Sequence, residues 1–183
     1  YDNVDLAAAK RQNIVVCNVP DYGTNDVADH TMALLLSLCR ATHAYDEHVR
    51  KNRSWEWDSI GNLKRLNALT IGIIGLGRIG TAVANRACAF GLNVSFYDPY
   101  LPDSIEKLFG YKKYSNLFEM VNICDIVSFH APLTKETNNM ADNEFFSNLK
   151  QGSVVINTAR GKIVNLDGLY NALKENIVKA AGL

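Results

Sequence analysis

The feature that most constrains the fold of this chain is a glycine pattern that directly follows an apolar run. Residues 70–74 read TIGII, which is typical of a buried strand, and residues 75–80 read GLGRIG. A strand, then GxGxxG, then a helix is the arrangement of a dinucleotide-binding βαβ unit. In such a unit Gly75 permits a tight turn, Gly77 lets the backbone approach a pyrophosphate, and Gly80 lets the helix pack against the strand.

The helix after the glycines is predicted over 78–90, with Gly91 as its C-terminal stop. Arg78 and Ile79 lie in its first turn, where backbone N–H groups lack partners inside the helix and the positive end of the helix dipole attracts anions. We therefore expect the pyrophosphate of a dinucleotide to bind at this turn.

An acid at the end of the next predicted strand indicates which dinucleotide is bound. Asp98 follows Gly80 by close to the roughly 20 residues expected for a ribose-binding acid. Its carboxylate can accept hydrogen bonds from both ribose hydroxyls, and it would repel a 2′-phosphate by a few kcal/mol at about 4 Å and an effective dielectric of about 20. Pro99 and Tyr100 follow, rather than an arginine. The sequence therefore predicts NAD rather than NADP.

Strands and helices alternate along the chain after residue 69. The predicted helices lie at 78–90, 103–109, 115–123, 142–149 and 165–174. The predicted strands are short and apolar and lie at 70–74, 93–97, 125–130, 154–158 and 178–183. Such alternation predicts an α/β fold, a doubly wound parallel sheet with helices on both faces.

The N-terminal part has a different pattern. The apolar run 14–19 predicts a short strand. One long helix is predicted from Thr24 or Asn25, either of which can cap it. It is apolar on nearly all faces over 33–39 and charged over 40–53, so we expect it to emerge from the domain in its second half.

Composition excludes several classes of function. Lys plus Arg and Asp plus Glu both number 19, so neither nucleic acid nor an anionic membrane is a predicted partner. No apolar run reaches the roughly 18 residues that a membrane span needs. No metal site is predicted. The cysteines form no CxxC pair, and we expect reduced, buried thiols at Cys17, Cys39, Cys88 and Cys124. These features predict a soluble, cytoplasmic protein.

A single arginine follows another apolar strand. Residues 154–164 read VVINTARGKIV, and a guanidinium such as that of Arg160 is costly to bury without an anionic partner. Ligands bind at the carboxyl ends of strands in open parallel sheets, and the planar fork of arginine suits a carboxylate. Two interpretations stay open, an anionic ligand or a structural arginine paired with a surface acid.

Stretches from end to end of the chain, in order, resemble one known family. They read YDNVDLAAAK, CNVPDYGTNDVADHTMALLL, GLGRIG, FYDPY, HAPLTKETNNM, LKQGSVVINTARGKIV and KAAGL. Together they resemble the D-isomer-specific 2-hydroxyacid dehydrogenases, and look most like the branch with C-terminal binding proteins and D-3-phosphoglycerate dehydrogenases. The resemblance implies a Rossmann-type NAD-binding domain over 1–183. It also implies that residues 1–13 are the segment that connects to a substrate domain absent from this chain. Residues 24–57 would form a long N-terminal helical dimerisation arm.

The resemblance also implies roles for individual residues. Arg160 would be catalytic, holding the carboxylate of the 2-hydroxy or 2-oxo acid and polarising the reacting carbonyl, beside the bound cofactor. Thr158 and Ala159 would lie against the nicotinamide, and Val27 would begin the long helix near the same end.

The loop after the predicted strand 125–130 would line the cofactor cleft through the backbone of His130, Ala131 and Pro132, with Thr137 helping to close it. His130 does not lie where the family has its catalytic histidine. We expect His130 to be a structural histidine with its hydrogen bonds satisfied.

The function implied is reversible hydride transfer between NAD(H) and a D-2-hydroxy acid or 2-oxo acid. The family's catalytic histidine, the glutamate that raises its pKa and an aspartate that contacts the nicotinamide amide have no match up to Leu183. We therefore expect this chain to bind NAD without turning over substrate, as the cofactor domain of a longer enzyme.

Two other functions remain compatible with the sequence. One is an NAD-sensing, dimeric, corepressor-like scaffold of the C-terminal binding protein type, and the other is a formate dehydrogenase, which shares the cofactor domain. In each case we expect a homodimer through 24–57.

Overall fold

The computed structural model describes residues 4–183 and builds them around one parallel sheet. The strands are β1 (Thr70–Ile74), β2 (Asn93–Tyr97), β3 (Lys112–Lys113), β4 (Ile126–Phe129), β5 (Ser153–Asn157) and β6 (Val178–Gly182). Their order across the sheet is β3-β2-β1-β4-β5-β6, and every described pairing is parallel. The strand order reverses direction between β1 and β4, so a crevice opens there at the carboxyl ends of the strands.

The helices cover both faces of this sheet. They are α1 (Leu6–Arg11), α2 (Thr24–Arg40), α3 (Thr42–Asn52), α4 (Arg78–Ala89), α5 (Glu106–Phe109), α6 (Leu117–Ile123), α7 (Asn143–Ser147) and α8 (Leu166–Lys174). Ile71 and Ile73 of β1 pack with α2 and α4 on one face, whereas Ile74 packs with α6, α7 and α8 on the other. The central strands β1, β4 and β5 are largely apolar because both of their faces are buried.

The predicted α/β fold is confirmed from residue 70 onward. Each predicted strand and helix of that part is present, with ends displaced by a few residues at most. The sequence reading missed β3, which has only two residues, both of them lysines. The predicted helix 115–123 begins at Leu117, because the side chain of Asn116 accepts the backbone N–H groups of Phe118 and Glu119. Asn165 caps α8 by accepting the backbone N–H of Gly168.

The predicted strand at 14–19 is wrong. The segment makes no sheet pairing in the described structure, and Val15 and Val19 are 85% and 71% exposed. In the described structure neither edge strand of the sheet, β3 or β6, pairs with this run. The helix α1 before it was missed, although Asp5 caps it through the backbone N–H of Ala8. The prediction for 1–13 falls partly on Tyr1, Asp2 and Asn3, which lie outside the described residues.

The predicted long helical arm is also wrong in form. The helix ends at Arg40 and a new one starts at Thr42, because Ala41 adopts a left-handed conformation with φ of 52°. Gly23, not Thr24 or Asn25, is the N-terminal cap of α2. Within residues 4–183, α2 belongs to the body of the domain, packed against α4, β5 and β6. The helix α3 contacts α2 and has no buried residue.

The cysteines differ from the expectation in part. None of them forms a disulfide in the described structure, but Cys17 and Cys88 are exposed, whereas Cys124 is buried and Cys39 partly so. Burial raises the pKa of Cys39 to about 11 and that of Cys124 to about 12, so both thiols stay protonated. Within residues 4–183 no helix is long and apolar enough to cross a membrane.

Candidate cofactor and active site

The glycine loop joins β1 to α4 beside the crevice. Gly75 has φ of 89°, and a Cβ atom there would lie 2.9 Å from the backbone nitrogen of Ala131. A Cβ atom on Gly80 would lie 2.1 Å from the carbonyl oxygen of Gly75. A Cβ atom on Gly77 would meet nothing within 4 Å, so this residue faces open space at the start of α4. Strand, turn and helix are therefore packed as tightly as the pattern predicts, with an open approach to the first turn.

Asp98 closes the crevice on the β2 side. One carboxylate oxygen accepts the N–H of Leu76 and the other accepts the N–H of Tyr100, both at 3.0 Å. A carboxylate oxygen has two lone pairs, so each oxygen can accept one further hydrogen bond, for instance from a ribose hydroxyl. The Tyr100 hydroxyl donates to Glu136, which links this loop to the one that follows β4.

The loop after β4 forms the floor of the crevice. The N–H of His130 donates to the carbonyl of Ile74 at 2.8 Å, and its ring Nε2 lies 2.9 Å from the Ser128 hydroxyl. Burial lowers the pKa of His130 to about 4, so the imidazole is neutral at physiological pH. The Thr137 hydroxyl donates to the carbonyl of Pro132 at 2.6 Å and thereby closes the loop.

The loop after β5 carries Thr158, Ala159 and Arg160, and a buried amide shapes it. Asn157 donates through its side chain to the carbonyl of Arg160 at 2.9 Å and accepts the N–H of Ala159 at 3.1 Å. Nη1 of Arg160 donates to the carbonyl of Ala159 at 2.8 Å, and the residue is exposed. Thr158 lies 2.7 Å, oxygen to oxygen, from the hydroxyl of Thr31 on α2.

These loops surround a cavity of about 610 Å³ at the carboxyl edge of the sheet. Of the residues singled out in the sequence, it is lined by Val27, Gly77, Arg78, Ile79, His130, Ala131, Pro132, Thr158, Ala159 and Arg160. The remaining four, Gly75, Gly80, Asp98 and Thr137, lie in or beside the same loops without lining the cavity. Residues far apart in sequence thus meet at one site.

The sequence reading missed part of the cavity wall. The turn before α2 contributes Asp21, Tyr22, Gly23 and Thr24. The Thr24 hydroxyl donates to the Asp21 carboxylate at 2.5 Å and holds this turn together. The turn-forming composition of DYGT at residues 21–24 is the sequence signal for this part of the wall. Within residues 4–183 no cluster of His, Cys, Asp and Glu side chains could hold a metal ion.

A doubly wound parallel sheet with a glycine loop at the strand reversal, and an acid at the end of the next strand, defines a dinucleotide-binding domain. The sequence matches the family model described as the NAD-binding domain of D-isomer-specific 2-hydroxyacid dehydrogenases over residues 32–183. The chain belongs to this family, and its cofactor is NAD.

Similar proteins of known name agree with this assignment. The chain is 38% identical to glyoxylate reductase of Korarchaeum cryptofilum, over 100% of this chain and 55% of that protein. It is 35% identical to D-3-phosphoglycerate dehydrogenase of Methanocaldococcus jannaschii, over 100% and 34%. D-Lactate dehydrogenase of Aquifex aeolicus, solved with NAD and lactic acid, superposes with a TM-score of 0.91 at 38% identity, over 100% and 54%. The chain therefore spans about half of these proteins or less.

Proposed function

We propose that this chain is the cofactor domain of an enzyme that interconverts a D-2-hydroxy acid and its 2-oxo acid with NAD. One observation carries the proposal, namely that Arg160 lies in the wall of the same cavity as the first turn of α4. A dinucleotide whose pyrophosphate lies at that turn, with its adenosine ribose at Asp98, extends its nicotinamide half toward the β5 loop, where a carboxylate substrate would meet Arg160.

The proposed roles follow from hydrogen-bonding capacity. The N–H groups of the first turn of α4 hold the pyrophosphate, and Gly77 leaves room for its approach. Asp98 accepts the ribose hydroxyls. Bound NAD supplies the redox chemistry at its nicotinamide ring. Arg160 orients the carboxylate of the substrate and, as a fixed positive charge, stabilises negative charge that develops on the carbonyl oxygen.

Proton transfer needs a group beyond this cavity wall. Of the described histidines only His130 lines the cavity, and its pKa near 4 leaves it without a proton to give at neutral pH. We therefore propose that the proton donor comes from another part of the full-length enzyme, and that this chain alone binds NAD without turnover. The scaffold alternative gains no support, since the relatives compared are all named as enzymes.

The cofactor side of the proposal is tested by titrating NADH and NADPH into the chain while following nicotinamide fluorescence. Asp98→Asn removes the charge but keeps an oxygen for the N–H of Leu76. It should weaken NADH binding and narrow the NADH-to-NADPH affinity ratio by at least tenfold, because each 1.4 kcal/mol of lost repulsion is worth a factor of about ten. Asp58→Asn, at an exposed acid outside the cavity, is the control. An unchanged ratio in Asp98→Asn would remove this residue from the ribose.

The substrate side is tested with the full-length enzyme and a panel of 2-oxo acids. Arg160→Lys keeps the charge but loses the fork, so kcat/KM should fall by at least tenfold for every 2-oxo acid that is reduced. NADH affinity should change little. Absence of turnover with the whole panel would contradict the proposed activity while leaving the cofactor assignment intact.

A further inference from the structure

Two threonine hydroxyls meet between α2 and the loop after β5. Thr31 is fully buried on α2, and its oxygen lies 2.7 Å from the carbonyl oxygen of Val27 and 2.7 Å from the hydroxyl oxygen of Thr158. Thr158 is half-buried and forms part of the cavity wall. The pair therefore connects the helix to the proposed nicotinamide end of the cavity.

Counting protons fixes the direction of both hydrogen bonds. A carbonyl oxygen only accepts, so Thr31 must give its single hydroxyl proton to Val27. Thr31 then has no proton for Thr158, and at 2.7 Å the Thr158 hydroxyl must be the donor. With its own proton committed to Thr31, Thr158 offers only lone pairs to anything that binds in the cavity. The wall at this point accepts N–H or O–H groups and disfavours carbonyl oxygens.

We propose that Thr31 is a positioning residue that fixes the Thr158 hydroxyl as an acceptor for the amide N–H of the nicotinamide carboxamide. The inference rests on the proposed function, which directs the nicotinamide half of NAD toward the β5 loop. The carboxamide has an N–H₂ group at one end and a carbonyl at the other. A hydroxyl that is free to rotate could accept a hydrogen bond from the N–H₂ group or donate one to the carbonyl. A hydroxyl locked as an acceptor selects the N–H₂ end and so fixes which way the amide is turned.

The experiment compares NADH with the reduced form of 3-acetylpyridine adenine dinucleotide, which has a methyl group in place of N–H₂. Both are titrated into the chain by calorimetry. The wild type should prefer NADH. Thr31→Val keeps the shape but frees the Thr158 proton, so the preference should fall by about threefold to tenfold, the worth of one hydrogen bond. Thr31→Ser retains a hydroxyl that can make the hydrogen bonds with Val27 and Thr158, so this variant should keep the wild-type preference for NADH.

Each outcome has one meaning. An unchanged preference in a folded Thr31→Val protein overturns the positioning role, and so does an equal loss of affinity for both dinucleotides, since that is the mark of a merely structural residue. Failure of the wild type to bind NADH would contradict the proposed function instead. If Thr31→Val does not fold, Thr158→Val at the cavity wall replaces it. That variant should weaken NADH and leave the acetylpyridine analogue unaffected, and equal weakening would overturn the proposal.

Discussion

Gly77 and Gly80 belong to one loop, yet a methyl group would meet different surroundings at each. At Gly80 it would collide with the backbone of Gly75 at 2.1 Å, and backbone cannot move aside as a flexible side chain can. At Gly77 it would meet no protein atom within 4 Å, and φ of −76° is ordinary for any residue. Gly77 therefore faces open space at the proposed pyrophosphate site, whereas Gly80 allows the close packing of α4 against the turn after β1.

The two alanine variants should therefore fail in different ways. Gly80→Ala should lower the free energy of unfolding by about 1–3 kcal/mol or more through overpacking. Gly77→Ala should keep its stability but bind NADH at least tenfold more weakly, because the methyl group occupies the approach of the pyrophosphate. Urea unfolding and NADH titration of both proteins check this. Wild-type NADH affinity in Gly77→Ala would contradict the placement of the pyrophosphate.

His130 should make the stability of the domain depend on pH. Its pKa in the folded state is about 4, below the 6.5 of an unfolded histidine, so the unfolded chain binds the extra proton. Its contribution is fully present above pH 6.5 and is lost as pH falls toward 4. Between pH 7 and pH 5 this loss should amount to about 2 kcal/mol.

Urea unfolding at the two pH values, compared with His130→Gln, measures this contribution. The variant has no imidazole to protonate, so its free energy of unfolding should fall less between pH 7 and pH 5 than that of the wild type. Equal losses in the two proteins would show that the imidazole is already hydrated in the folded state.

Sequence reasoning located the residues whose role follows from backbone position. Local patterns contain Gly75 and Gly80, in GLGRIG, and Arg160, in NTARG. Each pattern indicates where the chain turns after a strand. Thr31 and Asn157 were missed because their roles depend on partners. Thr31 contacts a residue 127 positions away, and no local rhythm distinguishes it from other small residues on a buried helix.

At the scale of elements, one carboxylate joins the amino ends of β1 and β4. Asp125 precedes β4, accepts the N–H of Thr70 at 3.1 Å, and lies 3.2 Å from Lys64 and 2.9 Å from Lys150. Burial alone would raise the pKa of Asp125, but the hydrogen bonds from Lys150, Thr70 and Lys64 outweigh it and lower the pKa. The charged form is therefore the one that the fold stabilises.

Asp125→Ala should lower the free energy of unfolding by about 1–3 kcal/mol, since it leaves the N–H of Thr70 and two ammonium groups without their shared acceptor. Asp46→Ala is the control at a surface ion pair. Asp46 pairs with Arg50, and the two side chains are 61% and 77% exposed, so little change is expected. Thermal or urea unfolding of both variants measures the difference. Equal free energies of unfolding in the two variants would show that the ion pairs of Asp125 contribute no more than those of an exposed surface pair.

The elements that were predicted correctly are those whose partners follow in sequence. Each strand from β1 to β5 is followed by a helix, so the local apolar pattern and the tertiary packing agree. The run 14–19 has the composition of a strand but pairs with neither edge of the sheet in the described structure, and Ala41 interrupts a helix that its sequence would have continued. Both errors come from tertiary context, which composition alone does not contain.

At the scale of the whole molecule, dimerisation through 24–57 stays a prediction. Trp55 and Trp57 are 73% and 78% exposed after α3. Tyr45 holds them in place, since its hydroxyl donates to the carbonyl of Trp57 at 2.7 Å and its ring centroid lies 6.1 Å from that of Trp55. Ordered, exposed indole rings are typical of an interface.

Sedimentation of the wild type well above micromolar concentration should give the mass of a dimer. The double variant Trp55→Ala, Trp57→Ala should have a mass closer to that of the monomer, because the substitutions remove the apolar area that a partner would bury. Tyr170→Ala, at an exposed aromatic residue of α8, should leave the mass unchanged. A wild-type monomer at these concentrations would contradict the prediction.

The two hydrogen bonds that Asp98 accepts from the backbone limit how cofactor preference can evolve. The carboxylate proposed to exclude a 2′-phosphate also holds the glycine loop through Leu76. A lineage that replaced Asp98 with a small apolar residue would lose this anchor at the moment it admitted NADP. Asparagine has no charge but keeps one oxygen, which can accept the N–H of Leu76 while the hydrogen bond from Tyr100 is lost. It is therefore the accessible first step, whether taken by selection or by an engineer.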